Sequence, residues 1–326
     1  MIFAIYNITI IYLSEGKTMN TANAPLFKDP IHNGASDPVV IYNEEKGTHY
    51  MFYTARRADV EEEGVMWVHG SDIGIAESTD GGNSWEYVGV CKGLEYESGR
   101  NTYWAPEVIR YENLYHMYVS YVPGIPADWK HPRYILHYTS ENLIDWKFES
   151  KLNLSSEKVI DACVFQMPNG IFRMWYKDEA NGSHTYYADS DDLYNWNVRG
   201  CAADDVPHEG ANVFEFGGKY WLITDCWSGL DVYYSDDLTN WTKQKDRILE
   251  QGGTRKDDGV IANHADVAVC GDKAYIFYFT HPERNGNMLD DTIAGQRRTS
   301  IQVAELEVID GILVCDRNKE ISVKLK

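Results

Sequence analysis

Five times along this chain a polar residue opens a short strand-like run that a hairpin turn then folds back. The openings are Asp37-Pro38-Val39-Val40, Glu107-Val108-Ile109, Asp161-Ala162-Cys163-Val164, Glu209-Gly210-Ala211-Asn212-Val213 and His264-Ala265-Asp266-Val267. Return runs such as His49-Tyr50-Met51-Phe52-Tyr53 and Tyr115-His116-Met117-Tyr118-Val119 are rich in aromatic residues, which suit half-buried β-structure. The unit beginning at Asp161 is the clearest copy. A first strand leads to the turn Pro168-Asn169-Gly170, a second strand covers 171–177, and a third holds Thr185-Tyr186-Tyr187-Ala188. The element Ser190-Asp191-Asp192-Leu193-Tyr194-Asn195-Trp196 closes the unit and returns as Ser235-Asp236-Asp237-Leu238-Thr239-Asn240-Trp241. Looser copies lie at 140–146 and 78–85. Ser and Asp side chains satisfy turn amides and a Trp packs between sheets, so this closing element reads as scaffold.

The openings lie 70, 54, 48 and 55 positions apart. Four short antiparallel strands recurring at about fifty residues describe a propeller blade. The predicted fold is therefore all-β, a five-bladed β-propeller occupying residues 19–326 as one domain. Its fifth blade should contain 274–280 and 300–305, and a strand from the residues before Asp37 is expected to close the ring. Residues 1–18 are apolar up to Leu13 but too short for a membrane span. They also lack the basic start and small-residue cleavage site of a secretion signal. The expectation is a mis-read leader or unstructured N-terminus with Met19 as the true start. A poorly formed secretion signal is the rival.

A net charge of −20 disfavours nucleic-acid phosphates, which need clustered Lys and Arg, and disfavours anionic membranes. A neutral ligand is indifferent to it. The six cysteines are scattered singly with no C-x-x-C pair, which predicts reduced thiols and a cytoplasmic location, or a periplasmic or secreted one if the N-terminal segment is a signal. Oligomeric state cannot be read from the chain.

In a propeller the first strands of all blades line a shared channel. Asp37, Glu107, Asp161, Glu209 and His264 are thus candidates to converge. Glycoside hydrolysis needs one carboxylate to activate water and one protonated group to assist the leaving oxygen, and a third acid can tune the second. Each residue also has a plainer reading. Asp-Pro commonly begins a turn, Glu107 can brace the Trp104 segment, and a lone His is often a satisfied core residue. Repetition at corresponding places favours the functional reading over the plain one. Trp104, Tyr103 and Trp227 are candidate sugar-stacking surfaces, with blade packing as the alternative. Arg56, Arg57 and the insertion at 57–71 should form a rim loop over the entrance.

The ordered set Ser36-Asp37-Pro38, Trp104-Ala105-Pro106-Glu107-Val108, Ile160-Asp161-Ala162 and His208-Glu209-Gly210-Ala211 resembles the successive blade motifs of glycoside hydrolase family 43 and its clan (families 43, 62, 32, 68 and 117). That resemblance, spanning roughly Asp37 to Glu305, implies an inverting glycosidase. In it Asp37 is general base, Asp161 tunes pKa and orientation, Glu209 is general acid, and Glu107 joins the substrate-binding residues. It also implies that His264 holds a central water or, as a metal ligand, a calcium ion; no cofactor is required. Small neutral oligosaccharides of the arabinofuranoside or xyloside class are the expected substrates, cleaved from a chain end. The motif W-A-P-D here carries Glu107, and E-G-P reads Glu209-Gly210-Ala211. The stretch around His264 and the ending Ser300–Leu306 look more like family 117, whose members act on α-1,3-linked galactan-derived units. On that resemblance His264 is the acid. Outside catalysis, a carbohydrate-binding propeller competes. A sialidase-like enzyme and a sugar-linkage phosphorylase are weaker, lacking an arginine triad and a basic phosphate site.

Overall fold

The computed structural model describes residues 21–286 and 289–326; the expected leader and Met19 lie outside them. Five four-stranded antiparallel sheets follow one another along the chain, each with its strands in sequence order. Blade 1 consists of Ala35–Asn43, Thr48–Ala55, Asp72–Ser78 and Glu86–Val90. Blade 2 has Thr102–Tyr111, Leu114–Val122, Tyr134–Ser140 and Lys147–Lys151. Blade 3 contains Val159–Gln166, Phe172–Asp178, His184–Ser190 and Asn197–Ala203. Blade 4 comprises Glu209–Phe216, Lys219–Asp225, Leu230–Ser235 and Thr242–Lys243, and blade 5 Asn263–Cys270, Lys273–Thr280, Ser300–Ile309 and Ile312–Cys315. The first strands touch in a closed circle, blade 1 to 2 and onward until blade 5 meets blade 1 again. The fold is a five-bladed β-propeller.

Burial follows position within a blade. Second strands are almost wholly buried because a sheet packs on each of their faces, while fourth strands alternate or face solvent. That is why the second strands carry Trp175, Trp221, Tyr50, Tyr53, Tyr118 and Tyr278, all fully buried. Each gap between neighbouring blades holds its own apolar cluster. Met51 and Tyr53 meet Tyr275 and Phe277 between blades 1 and 5, and Trp175 meets Leu222 and Tyr233 between blades 3 and 4.

The closing turns behave as scaffold. Ser190 Oγ accepts the Leu193 amide at 2.9 Å and Asp192 Oδ1 accepts those of Tyr194 and Asn195 at 2.8 Å. Leu193, Leu143 and Leu238 sit at φ of 66°, 66° and 61°, a region costly for a branched side chain, and in each case a serine hydroxyl accepts the leucine amide.

Ring closure departs from expectation. Blade 5 supplies all four of its own strands, and among the described residues the segment that precedes Ala35 adds no strand to a sheet. That segment makes only isolated bridges, Phe27 to Ile301 and Gly34 to Thr299. The C-terminal segment instead grips blade 1, with Val323 and Asn83 exchanging two hydrogen bonds of 2.8 and 2.9 Å. The segment 22–34 and the C-terminal segment therefore brace the seam between blades 1 and 5, where a single strand had been expected.

Every first strand contains a bulge, and the bulges correct the alignment of the repeat. Pairing skips at Ser36/Val39, Trp104/Glu107, Ile160/Cys163, Glu209/Asn212 and Asn263/Ala265. The bulged residues that correspond are Asp37, Ala105, Asp161, Gly210 and His264, the first four in the left-handed region at φ of 49°, 42°, 59° and 60°. Glu107 is thus two residues past the bulge and Glu209 one before it; they are not equivalents of Asp37. A bulge leaves backbone groups unpaired in their own ladder, and the neighbouring blade takes them up. Two positions past the bulge, Glu107 Oε1 accepts the Val164 amide at 2.7 Å, Cys163 Sγ that of Val213 at 3.2 Å, and Asp266 Oδ2 that of Val40 at 2.9 Å. Glu107 is accordingly a buried inter-blade brace and not a substrate-binding residue.

Burial and the nearby Asp266 charge push the Glu107 carboxyl up to about 8. A raised pKa means the folded state holds the proton more tightly, so this contribution is complete below the ordinary value of 4.5 and is lost as pH rises through about 8. Glu107→Gln keeps an acceptor for Val164 and should leave stability near wild type while flattening its decline between those pH values. Glu107→Ala, which orphans a buried amide, should cost about 2 kcal/mol. Urea unfolding across pH 5–8 checks both.

Candidate active site

One cavity of about 460 Å³ opens over the channel. Its floor is built from the bulge residues and those immediately before them: Asp37, Asp161, Glu209, Asn263 and His264 all face it. The walls come from loops. The 57–71 segment contributes Trp67 and Val68, the blade 2 loop Trp129 and Arg133, and the blade 5 loop Leu289 and Asp291. Arg57 fixes the first loop by donating to the His69 and Met66 carbonyls at 2.8 Å and to Glu62. The expected rim loop is there, and its apolar residues pack against Trp104.

Asp37 is the most heavily engaged group. Arg56 Nη2 donates to both its oxygens at 3.2 Å, Ser36 Oγ donates at 3.1 Å, and His264 Nδ1 lies 3.5 Å from Oδ1. Burial alone would raise this carboxyl, but the Arg56 charge, followed by the His264 contact, holds it well below the carboxylate range. For His264 burial opposes the charged form; the Asp37 hydrogen bond and the Asp161, Asp37 and Glu209 charges outweigh it and push the imidazole up to about 9. Nδ1 is turned to Asp37, and Nε2 has no partner among the described residues. Gly210 makes room for this ring: a Cβ there would lie 2.6 Å from His264 Cγ.

Asp161 Oδ2 accepts the Gly210 amide at 3.0 Å. Burial and Glu209 push its carboxyl up to about 6 against the pull of His264. Glu209 is held on both oxygens: Lys177 Nζ donates to Oε2 and Trp227 Nε1 to Oε1, each at 2.9 Å. Burial would raise its pKa, yet Lys177 and then Trp227 bring it below the ordinary value. Both Glu209 oxygens thus face N–H donors, an arrangement that favours the anion.

Of the aromatic candidates, Trp104 and Trp227 line the cavity and Trp227 is 40% exposed. Tyr103 does not reach it. Its hydroxyl donates to the Leu94 carbonyl at 2.6 Å inside the blade 1–2 cluster, where its ring packs as core. Trp129, 52% exposed beside Trp104, is an additional platform. Among the described residues no group of three or more His, Cys, Asp or Glu is arranged to hold a metal ion. At His264 Nδ1 faces Asp37, so Nε2 is the ring nitrogen left for a water or an ion.

Lys177 and Asp225 escape notice as isolated residues, but a repeated signal marks them. Opposite the residue before each bulge, the second strand places Thr54, Ser120, Lys177, Asp225 or Phe279, within two residues of its end. Thr54 Oγ1 accepts the Ala105 amide at 2.8 Å, Ser120 Oγ that of Asp161 at 3.0 Å, and Asp225 Oδ2 that of His264 at 2.9 Å. A polar residue ending an apolar aromatic run thus fixes the next blade's mouth residue.

No family model matches the chain, and no curated protein does. Solved structures do. A thermostable family-43 glycoside hydrolase superposes with a TM-score of 0.69 at 22% identity, covering 91% of this chain and 99% of that one. A family-43 β-xylosidase/α-arabinofuranosidase from a compost microbial metagenome, in complex with xylotriose, gives 0.67 at 16% identity over 90% and 97%. A family-43 β-1,3-galactosidase with galactodeoxynojirimycin gives 0.62 at 14% over 86% and 93%. The chain shares their fold. At these identities the likeness speaks for architecture, and the chemistry rests on the cavity floor.

The charge pattern predicts a distinct histidine titration. One imidazole, lost in His264→Gln, should titrate near pH 9, whereas burial keeps His69 and His116 neutral down to about 4. NMR of the ring Cε1–H groups checks this. A His264 midpoint at or below 6.5 would contradict the ion-paired floor.

Proposed function

We propose that the protein is a glycoside hydrolase acting with inversion on small neutral oligosaccharides. The observation that carries this is the convergence of Asp37, Asp161, Glu209 and His264 on the floor of one cavity. Single displacement needs a base on one side of the anomeric carbon and a proton donor near the leaving oxygen. Asp37, anionic at any working pH, takes the proton of the attacking water. Glu209, expected as the donor, has both oxygens occupied by N–H donors and no proton to give. His264 carries one, and its free Nε2 is the nitrogen left for a glycosidic oxygen. When Nε2 gives up that proton, Nδ1–H still faces Asp37 but the imidazolium charge that helps hold Asp37 down is gone, so donation strengthens the base in the same step. Asp161 raises His264 by its charge, and Glu209 serves as an acceptor for sugar hydroxyls. This assignment favours the reading in which the substrate is an α-1,3-linked or anhydro-galactoside, with arabinofuranosides and xylosides as the other class.

Trp104, Trp129 and Trp227 offer faces for sugar rings. A cavity of this volume lies in the lower part of the range for small-molecule sites, about 300–1,000 Å³, and walls from three loops suit a chain end, hence exo action. Neighbours of the same fold bind xylotriose, which supports an oligosaccharide ligand. All six cysteines are unpaired, which supports a cytoplasmic setting.

A panel of aryl glycosides and agar, arabinan and xylan oligosaccharides tests the proposal. Asp37→Asn should lower kcat by about 10³-fold or more while the protein still binds product. His264→Gln should lose about 10²–10⁴-fold, with the greater loss on poor leaving groups, and Glu209→Gln should act chiefly on KM. Because the donor must be protonated, kcat/KM should hold through neutral pH and fall as pH rises through about 9. A fall that begins below pH 6 would move the donor role to Glu209. Unaltered turnover in Asp37→Asn would remove the catalytic reading altogether.

A further inference from the structure

Lys177 stands where the other blades place an acceptor. Thr54, Ser120 and Asp225, its counterparts in blades 1, 2 and 4, each accept the amide of the next blade's bulge residue. In blade 3 that amide, Gly210 N, is instead taken by Asp161, so Lys177 does not complete the scaffold. It is 4% exposed, and its Nζ lies 2.9 Å from Glu209 Oε2 and 3.2 Å from Glu179 Oε1. Glu179 is itself held by Arg133, 3.1 Å away. The result is a chain of alternating charge, Arg133–Glu179–Lys177–Glu209, along one side of the cavity. A buried ammonium needs partners, but one carboxylate of the pair sits on the cavity floor, where an ordinary structural pair has no need to be.

We infer that Lys177 is a positioning residue that keeps Glu209 an oriented anion, and thereby leaves the donation of a proton to His264. The inference rests on the functional reading above for its second half; its first half stands on geometry alone. The groups facing Glu209 are Lys177 and Asp161 from blade 3, Asp225 from blade 4 and His264 from blade 5. Two of these are acids whose charge would drive a proton onto Glu209, and His264 opposes them from across the floor. Lys177 is the cation in direct contact. Trp227 adds a neutral donor, which also makes its indole a reporter of the Glu209 charge.

The test follows the Trp227 Nε1–H resonance, identified by its loss in Trp227→Phe, across a pH titration. The Glu209 step is the one lost in Glu209→Gln, which separates it from Asp161 and Asp225, pushed up to about 6 and 7; in wild type it should lie below pH 4.5, the ordinary glutamate value. In Lys177→Met it should titrate about 1–3 pH units higher than in wild type, and Lys177→Arg should bring the midpoint back toward wild type. If Lys177→Met does not fold, Lys177→Met/Glu179→Gln removes the lysine together with one of its acids, and the same criterion applies. An indole titration at the wild-type pH in either variant overturns the inference. In activity, Lys177→Met should move the acid limb of kcat/KM to higher pH and raise KM. Should the wild type cleave no glycoside, the functional reading fails, while the indole titration still decides what Lys177 does.

Discussion

A bulge in each first strand breaks the sheet's own ladder at the channel mouth, and the structure depends on how the freed amides are paired. Buried N–H groups go unpaired only at a cost comparable to a lost hydrogen bond. Here the partners come from the adjacent blade: Thr54, Ser120 and Asp225 at the mouth, Glu107, Cys163 and Asp266 one layer below. The same contacts that join blade to blade therefore set the backbone of Asp161 and His264. Asp37 and Asp161 occupy left-handed conformations that an isolated strand would not adopt. The surrounding ring imposes them, and the side chains are aimed before any ligand arrives.

Charge completes what the backbone begins. Running around the cavity, Arg56 holds Asp37, Asp37 holds His264, and the His264 amide donates to Asp225, which also accepts the Trp227 amide. The Trp227 indole holds Glu209, which pairs with Lys177, and Lys177 leads through Glu179 to Arg133. Each acid has a different neighbour and so a different affinity for its proton. Asp37 is driven down by a guanidinium, Asp161 is pushed up by burial and Glu209, and His264 is pushed up by the carboxylates against its own burial. Asp37 and His264, in contact, each hold the other in its charged form, which leaves an anion and a proton-bearing cation side by side on the floor.

Much of this was legible in the chain. The fifty-residue rhythm, the aromatic second strands and the Ser-Asp-Asp-Leu closing turns specify blades through local periodicity and turn chemistry, both encoded by neighbouring residues. Asp37, Asp161, Glu209 and His264 were found because they stand at strand openings. Glu107 was misplaced because a bulge inserts a residue without any composition of its own and shifts which face later residues take. Tyr103, before the bulge, was misplaced by simple alternation, which turns it to the face opposite Trp104. The proposed donor was illegible for another reason. The contact that favours an anionic Glu209 is with Lys177, which is distant in sequence and met only where the second strand of blade 3 abuts the first strand of blade 4. Bracing of the ring's seam by residues 22–34 and 321–325 is likewise a long-range contact with no local signature.

The account stands on a single displacement in which water attacks from the Asp37 side as the leaving oxygen is protonated. Proton NMR of the first-formed sugar, taken before mutarotation on the best substrate of the glycoside panel, reads that directly. The released anomer should be inverted relative to the bond cleaved. A retained anomer would require a covalent intermediate on one of these carboxylates and would contradict the account.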